Sequence, residues 1–177
     1  MFTVQTKRGV KVTLREPLES DAKEIIDFYN EVGGETNFLS IEKGEYEVSL
    51  KEQENTINYV NDSINNTMIL ALYNSKIIGI GTIVSNQKKK GKHVGSLAIA
   101  IKEEYCNMGL GRIIMEYLID WCKENKITTK INLSVREDNP RAIALYKKCG
   151  FEVEGISKNE TYLDGKFFDL VNMGLIL

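Results

Sequence analysis

Ser96-Leu97-Ala98-Ile99-Ala100-Ile101-Lys102-Glu103-Glu104-Tyr105-Cys106-Asn107-Met108-Gly109-Leu110-Gly111-Arg112 sets an apolar strand, a short turn, two glycines one residue apart and the start of a helix in one run. Glycines at such a turn let the backbone come close to a ligand. The first N–H groups of a helix have no internal partner and lie at the positive end of its dipole. The run therefore suits an anion, and a diphosphate fits the description. Each charge-assisted hydrogen bond contributes roughly 1.5–3 kcal/mol and the dipole about 0.3–1 kcal/mol, so three or four amides outweigh any one side chain. The donors expected are the amides from Met108 to Ile113. The same glycines also suit a bare strand-to-helix turn. A P-loop is excluded, because it needs Gly-Lys-Ser/Thr where Gly111 is followed by Arg112-Ile113. A dinucleotide site needs a third glycine where Ile114 stands, yet Glu137 and Asp138 after the next strand keep it open.

Outward from this run, the pattern alternates between strand and helix. Val10, Val12 and Leu14 alternate with polar residues as in a half-buried strand, and Arg8-Gly9 turns a short hairpin from Phe2 to Thr6. A helix is expected from Ser20 to about Glu31, ended by Gly33-Gly34, and residues 35–48 read as loop. Ser49-Leu50-Lys51-Glu52 is a capping box, with Ile57, Val60 and Ile64 as the apolar stripe behind it. Thr67 to Tyr73 and Lys76 to Val84 form a hairpin around Asn74-Ser75, followed by a strand from His93 to Ile101. A helix from Gly109 to about Asn125, a strand from Ile131 to Val135 and a helix at Asn139-Pro140 come next. Phe151 to Tyr162 and Phe167 to Ile176 close the chain as a hairpin around Asp164-Gly165. This order gives an α/β or α+β fold whose sheet mixes parallel and antiparallel pairs.

The 177 residues fit one domain over 1–177. Lys and Arg number 23 against 25 Asp and Glu, a balance that offers no strong field for nucleic acid. Lys88, Lys89 and Lys90 read as a solvated hairpin tip. Cys106, Cys122 and Cys149 make no CxxC pair and His93 is the only histidine, so no metal site and no disulfide framework is expected. The N-terminus alternates where a secretory signal would be continuously apolar, and no segment has the length of a membrane span. A soluble, cytoplasmic protein with no membrane partner is expected.

Residues 105–111, Tyr-Cys-Asn-Met-Gly-Leu-Gly, resemble the (R/Q)-x-x-G-x-(G/A) signature of the GNAT acetyltransferases, with Cys106 where the family carries Arg or Gln. Leu133-Ser134-Val135, followed by Asn139-Pro140-Arg141-Ala142-Ile143-Ala144-Leu145-Tyr146 and Gly150-Phe151, is similar to the family's second block. The likeness extends over roughly Ile77 to Leu177, while the first 65 or so residues match only in their order of elements. It implies a mixed, mostly antiparallel central sheet of six or seven strands, about four helices and a splay between the central strands. It also implies an acetyl-CoA-dependent N-acetyltransferase that acts by direct attack of a primary amine on a small molecule or peptide. A homodimer is compatible with it, and no metal is called for. A CoA-binding sensor without turnover, and dinucleotide binding, stay open beside it.

The resemblance implies roles for particular residues. Asn107, Met108, Gly109, Leu110, Gly111 and Arg112 would hold the diphosphate of CoA, with Arg112 offsetting the loss of a cation at Cys106. Leu97, Ile99, Ala100 and Ile101 would offer backbone groups to the pantetheine arm, and Asn139 would add a contact beside its role as helix cap. Tyr146 would act on the CoA sulfur as general acid, although Ala142, Leu145 and Cys149 give it a packing face as well. Glu35, expected in the loop that borders the acceptor pocket, is the candidate base. No base is required for an α-amine, whose pKa near 7.7–8.0 leaves it substantially neutral.

Overall fold

The computed structural model describes residues 1–177. Its strands are β1 (Phe2–Gln5), β2 (Lys11–Arg15), β3 (Thr67–Tyr73), β4 (Lys76–Ser85), β5 (Val94–Ile101), β6 (Lys130–Arg136), β7 (Glu152–Leu163) and β8 (Lys166–Ile176). The helices are α1 (Ala22–Glu35), α2 (Leu50–Asn61), α3 (Leu110–Glu124) and α4 (Pro140–Lys148). All eight strands form one sheet in the order β1-β2-β3-β4-β5-β6-β8-β7. The count exceeds the six or seven expected because the Phe2 hairpin adds a full edge strand. Every pair is antiparallel except β5 with β6. A dinucleotide fold of the doubly wound kind needs a largely parallel sheet, so that alternative ends here.

Two cores flank the sheet. Ile114, Met115, Leu118 and Cys122 of α3 pack with Ile69, Ile83, Leu97, Ile131 and Leu133 on one face. Ala22, Ile25, Phe28 and Val32 of α1, with Ile57 and Val60 of α2, pack on Leu70, Ile80 and Ala100 on the other. Close approach of α3 to β4 needs Gly81. A Cβ there would press into Ile114 Cγ2 and lie 3.0 Å from Leu118 Cδ1. Gly81→Ala is expected to lower stability by about 1–3 kcal/mol through overpacking, read as a lower urea midpoint with an unchanged slope.

Most predicted ends hold within two residues, and α2 keeps its capping box, with Ser49 N–H 2.9 Å from Glu52 Oε2 and Glu52 N–H 3.3 Å from Ser49 Oγ. Two expectations are corrected. α2 ends at Asn61, so Ile64, expected in its apolar stripe, lies beyond the helix and exposed. α1 runs through Gly33-Gly34 to Glu35, because these glycines serve packing and not termination: a Cβ on Gly33 would stand 2.8 Å from the Glu42 carbonyl oxygen. Residues 36–49 are free of helix and strand, and they are pinned to the helices before and after them. Tyr46 N–H donates to Asn30 Oδ1 at 3.1 Å, and Tyr46 Oη reaches Gln53 Oε1 at 2.8 Å. No helix is long and apolar enough to cross a membrane.

Candidate active site

The site begins where two strands part. β5 and β6 are in register only from Val94/Lys130 to Ser96/Asn132, whereas β5 stays paired to β4 through Ile101 and β6 to β8 through Arg136. Beyond Ser96 and Asn132 the two strands therefore diverge and leave an opening. Its exposed backbone groups follow from alternation. Lys102 N–H donates to the Ile78 carbonyl at 3.1 Å, so the even residues of β5 spend their hydrogen bonds on β4. Ile99 and Ile101 accordingly turn N–H and C=O toward the opening and Leu97 only its C=O, because the Ser96/Asn132 pairing engages the Leu97 N–H, while the backbone of Ala100 is consumed by β4. The expectation that Ala100 offers backbone groups is corrected on this ground, although the residue lines the cavity.

At the mouth of the opening lies the glycine turn. Asn107 (φ 61°) and Gly109 (φ 86°) are left-handed, which brings the chain sharply into α3 with Gly109 as N-cap. No acceptor in the chain takes the amides of Asn107, Met108, Gly109, Leu110, Gly111 or Arg112, whereas Ile113 N–H bonds the Gly109 carbonyl at 3.2 Å. The free run thus starts one residue earlier and ends one earlier than predicted. The side chains of Met108 and Leu110 face the core at 7 % and 1 % exposure, so any ligand contact they make is through the main chain. Arg112 lines the cavity, but its Nε is held by Glu116 at 2.7 Å along the helix surface.

The opening and the turn belong to one cavity of about 780 Å³. Tyr146 on α4 lines it opposite β5, packed on Phe151 at 6.0 Å between ring centroids. Burial alone raises the Tyr146 pKa, and no hydrogen bond offsets it, so the phenol stays protonated. Asn139 also lines the cavity, and its Oδ1 accepts Ala142 N–H at 3.1 Å as the cap of α4.

The far end of the cavity is lined by Phe38, Leu39 and Ser40 from the α1–α2 segment and by Thr161 and Leu170 of the last hairpin. Arg136 holds this end together. Its side chain is only 6 % exposed, stacks 3.9 Å from the Phe168 ring centroid and 5.4 Å from that of Phe38, and donates to Asp138 and to the Asn37 carbonyl at 2.7 Å. No local spacing in the sequence singles out Arg136 or Phe38, because their contact joins segments far apart along the chain.

Glu35 does not serve as expected. It is the last residue of α1, its Oε2 accepts the Glu103 N–H at 2.8 Å, and it is absent from the cavity lining. The sequence placed it in a loop because Gly33-Gly34 read as a helix stop. Lys7, Arg112, Arg136, Arg141 and Lys148 line the cavity against one carboxylate, Glu103, which sits beside the glycine turn. A pocket of this sign favours a polyanionic ligand.

A strand parting from its parallel neighbour beside a helix N-terminus with bare amides suits a phosphorylated, extended ligand. Comparison with known proteins agrees: residues 35–151 match the model of the acetyltransferase (GNAT) family, and the chain belongs to that family. It is similar to the L-amino acid N-acetyltransferase AaaT of Escherichia coli (strain K12), 30% identical over 108 residues that cover 61% of this chain and 67% of that one. The [ribosomal protein bS18]-alanine N-acetyltransferase of the same organism is 41% identical over 61 residues, 34% of this chain and 40% of the relative. Among solved structures, an acetyltransferase of the GNAT family from Streptococcus pneumoniae superimposes with a TM-score of 0.91 at 35% identity, covering 94% of this chain and 99% of the other.

Proposed function

We propose that this chain transfers the acetyl group of acetyl-CoA directly to the primary amine of an amino acid or peptide N-terminus. The observation that carries the proposal is the run of partnerless amides from Asn107 to Arg112 beside the opening between β5 and β6. The amides suit the diphosphate, and the backbone of Leu97, Ile99 and Ile101 suits the pantetheine arm, accepted as an added strand would be. A cavity of about 780 Å³ lies within the range that encloses ligands of this size.

When bound, acetyl-CoA supplies an activated acyl group whose carbonyl oxygen gains charge under attack and whose sulfur departs with an electron pair. The Ile99 N–H, turned into the opening, is the chain's donor for that oxygen. Tyr146 is the donor for the sulfur. Its raised pKa makes it a weak acid beside a thiol of pKa about 8.5, so a strong hydrogen bond to the developing thiolate is its contribution. Burial also raises the thiols of Cys106 and Cys149, which keeps both protonated and poorly nucleophilic, in keeping with transfer that forms no acyl-enzyme.

No carboxylate borders the far end of the cavity, so the amine has to arrive neutral or lose its proton to water. An α-amine with pKa near 7.7–8.0 meets that demand far better than a lysine near 10.4, and the cationic lining disfavours a polyamine. The test is thiol release from acetyl-CoA with a panel of amino acids, short peptides, blocked lysine and spermidine. Turnover of α-amines above the other two is expected. Preference for spermidine would overturn the acceptor class, and CoA binding without turnover of any amine would leave a sensor.

The pH profile follows from the same groups. Because the Tyr146 pKa is raised, its protonated form persists up to and beyond the ordinary value near 10. The rate should rise from about pH 6 to 9 with the neutral fraction of the amine, with no falling limb in that range.

A further inference from the structure

Cys106 stands where the GNAT signature has Arg or Gln, and a guanidinium from another element occupies its surroundings. We propose that Arg141 on α4 supplies the side-chain charge for the diphosphate that the loop itself has lost. Arg141 Nη2 lies 3.6 Å from Cys106 Sγ, and both residues line the cavity with Gly109 and Gly111. That sulfur is its one side-chain partner. A thiol is a weak acceptor, so the guanidinium is free to turn to a phosphate oxygen at small cost, and its fork suits two oxygens at once.

Arg112, the loop's neighbour in sequence, is engaged by Glu116. Lys7 and Lys148 line the cavity as well, with the Lys7 stem packed over Gly109. Burial is the main cause that raises the Cys106 thiol; Arg141 opposes it, and the negative charges of Glu103, in the turn after β5, and of Glu35, at the end of α1, add to it. Without Arg141 a diphosphate on the bare amides would face these two negative charges with no cation at Cys106. The sequence hides this arrangement because residues 106 and 141 belong to different blocks.

The inference rests on the acetyl-CoA reading and is tested by titration calorimetry with CoA and with dephospho-CoA, which lacks only the 3′-phosphate. Arg141→Ala should weaken both about tenfold or more, with a penalty that shrinks as salt is raised, and Arg141→Lys should restore part of the loss. The loss of kcat/KM with S-acetylpantetheine, which has no diphosphate, should be much smaller than the loss with acetyl-CoA. Cys106→Arg in the Arg141→Ala background should recover CoA affinity. Unchanged affinity in Arg141→Ala, a penalty seen with CoA but absent with dephospho-CoA, or an equal loss with S-acetylpantetheine would each overturn the assignment. If the wild-type protein bound no CoA, the acetyl-CoA reading would go with it. If it bound and Arg141→Ala bound equally, only the role of Arg141 would be lost.

Discussion

Tyr146→Phe is expected to lower kcat about 100-fold, the low end of what one hydrogen-bond donor aimed at developing charge contributes, while leaving acetyl-CoA affinity nearly unchanged. The substitution removes one hydroxyl from a ring that is already packed against Phe151, so the shape of the cavity wall is kept. What it removes is a donor that burial holds in its protonated form and that no group in the protein occupies. Stopped-flow measurement of the chemical step, alongside calorimetry of CoA binding, separates the two quantities. A fully active variant would exclude Tyr146 from the chemistry, and a parallel loss of affinity would make it a wall of the pocket instead.

Gly109→Ala is expected to have the largest effect on binding. Gly109 sits at φ 86°, where a Cβ costs about 1–2 kcal/mol, and that Cβ would also lie 3.2 Å from Lys7 Cγ. Relief of the strain requires the turn to unwind, which redirects the amides of Asn107 to Arg112 together. Loss of two charge-assisted bonds at roughly 1.5 kcal/mol each amounts to about 100-fold in the CoA dissociation constant. Equilibrium titration reads this directly, and a thermal melt should show the smaller loss of stability.

Most of the fold was legible in the sequence because its signals are local. Capping residues, tight turns and alternation each act over a few positions, and Ser49, Asn139, Asn74-Ser75 and Asp164-Gly165 all sit where their chemistry predicts. Gly33-Gly34 misled for the opposite reason. Their purpose is contact with Ile41, Glu42 and Lys43, which no local pattern announces. That single misreading carried Glu35 into the acceptor pocket as a base, when its carboxylate is spent on the Glu103 amide.

The site itself was half legible. The glycine turn, Tyr146 and Asn139 are read from contiguous motifs. The parting of β5 from β6 came only from the family resemblance, because nothing in either strand marks where pairing stops. Arg136 and Arg141 depend on contacts between distant segments, the first with Asn37, Phe38 and Phe168 and the second with Cys106. Charged side chains on a strand end and on a short helix look solvated until the neighbouring elements are in place.

The claim on which the rest depends is that the backbone between Leu97 and Arg112 receives the ligand. Amide hydrogen exchange with and without saturating CoA measures it residue by residue. The amides of Asn107 to Arg112, and those of Ile99 and Ile101, should slow on binding, while Leu97, Ala98 and Ala100 should change little because β6 already holds the first and β4 the other two. Saturation with CoA that left the exchange of residues 107–112 unaltered would contradict the account.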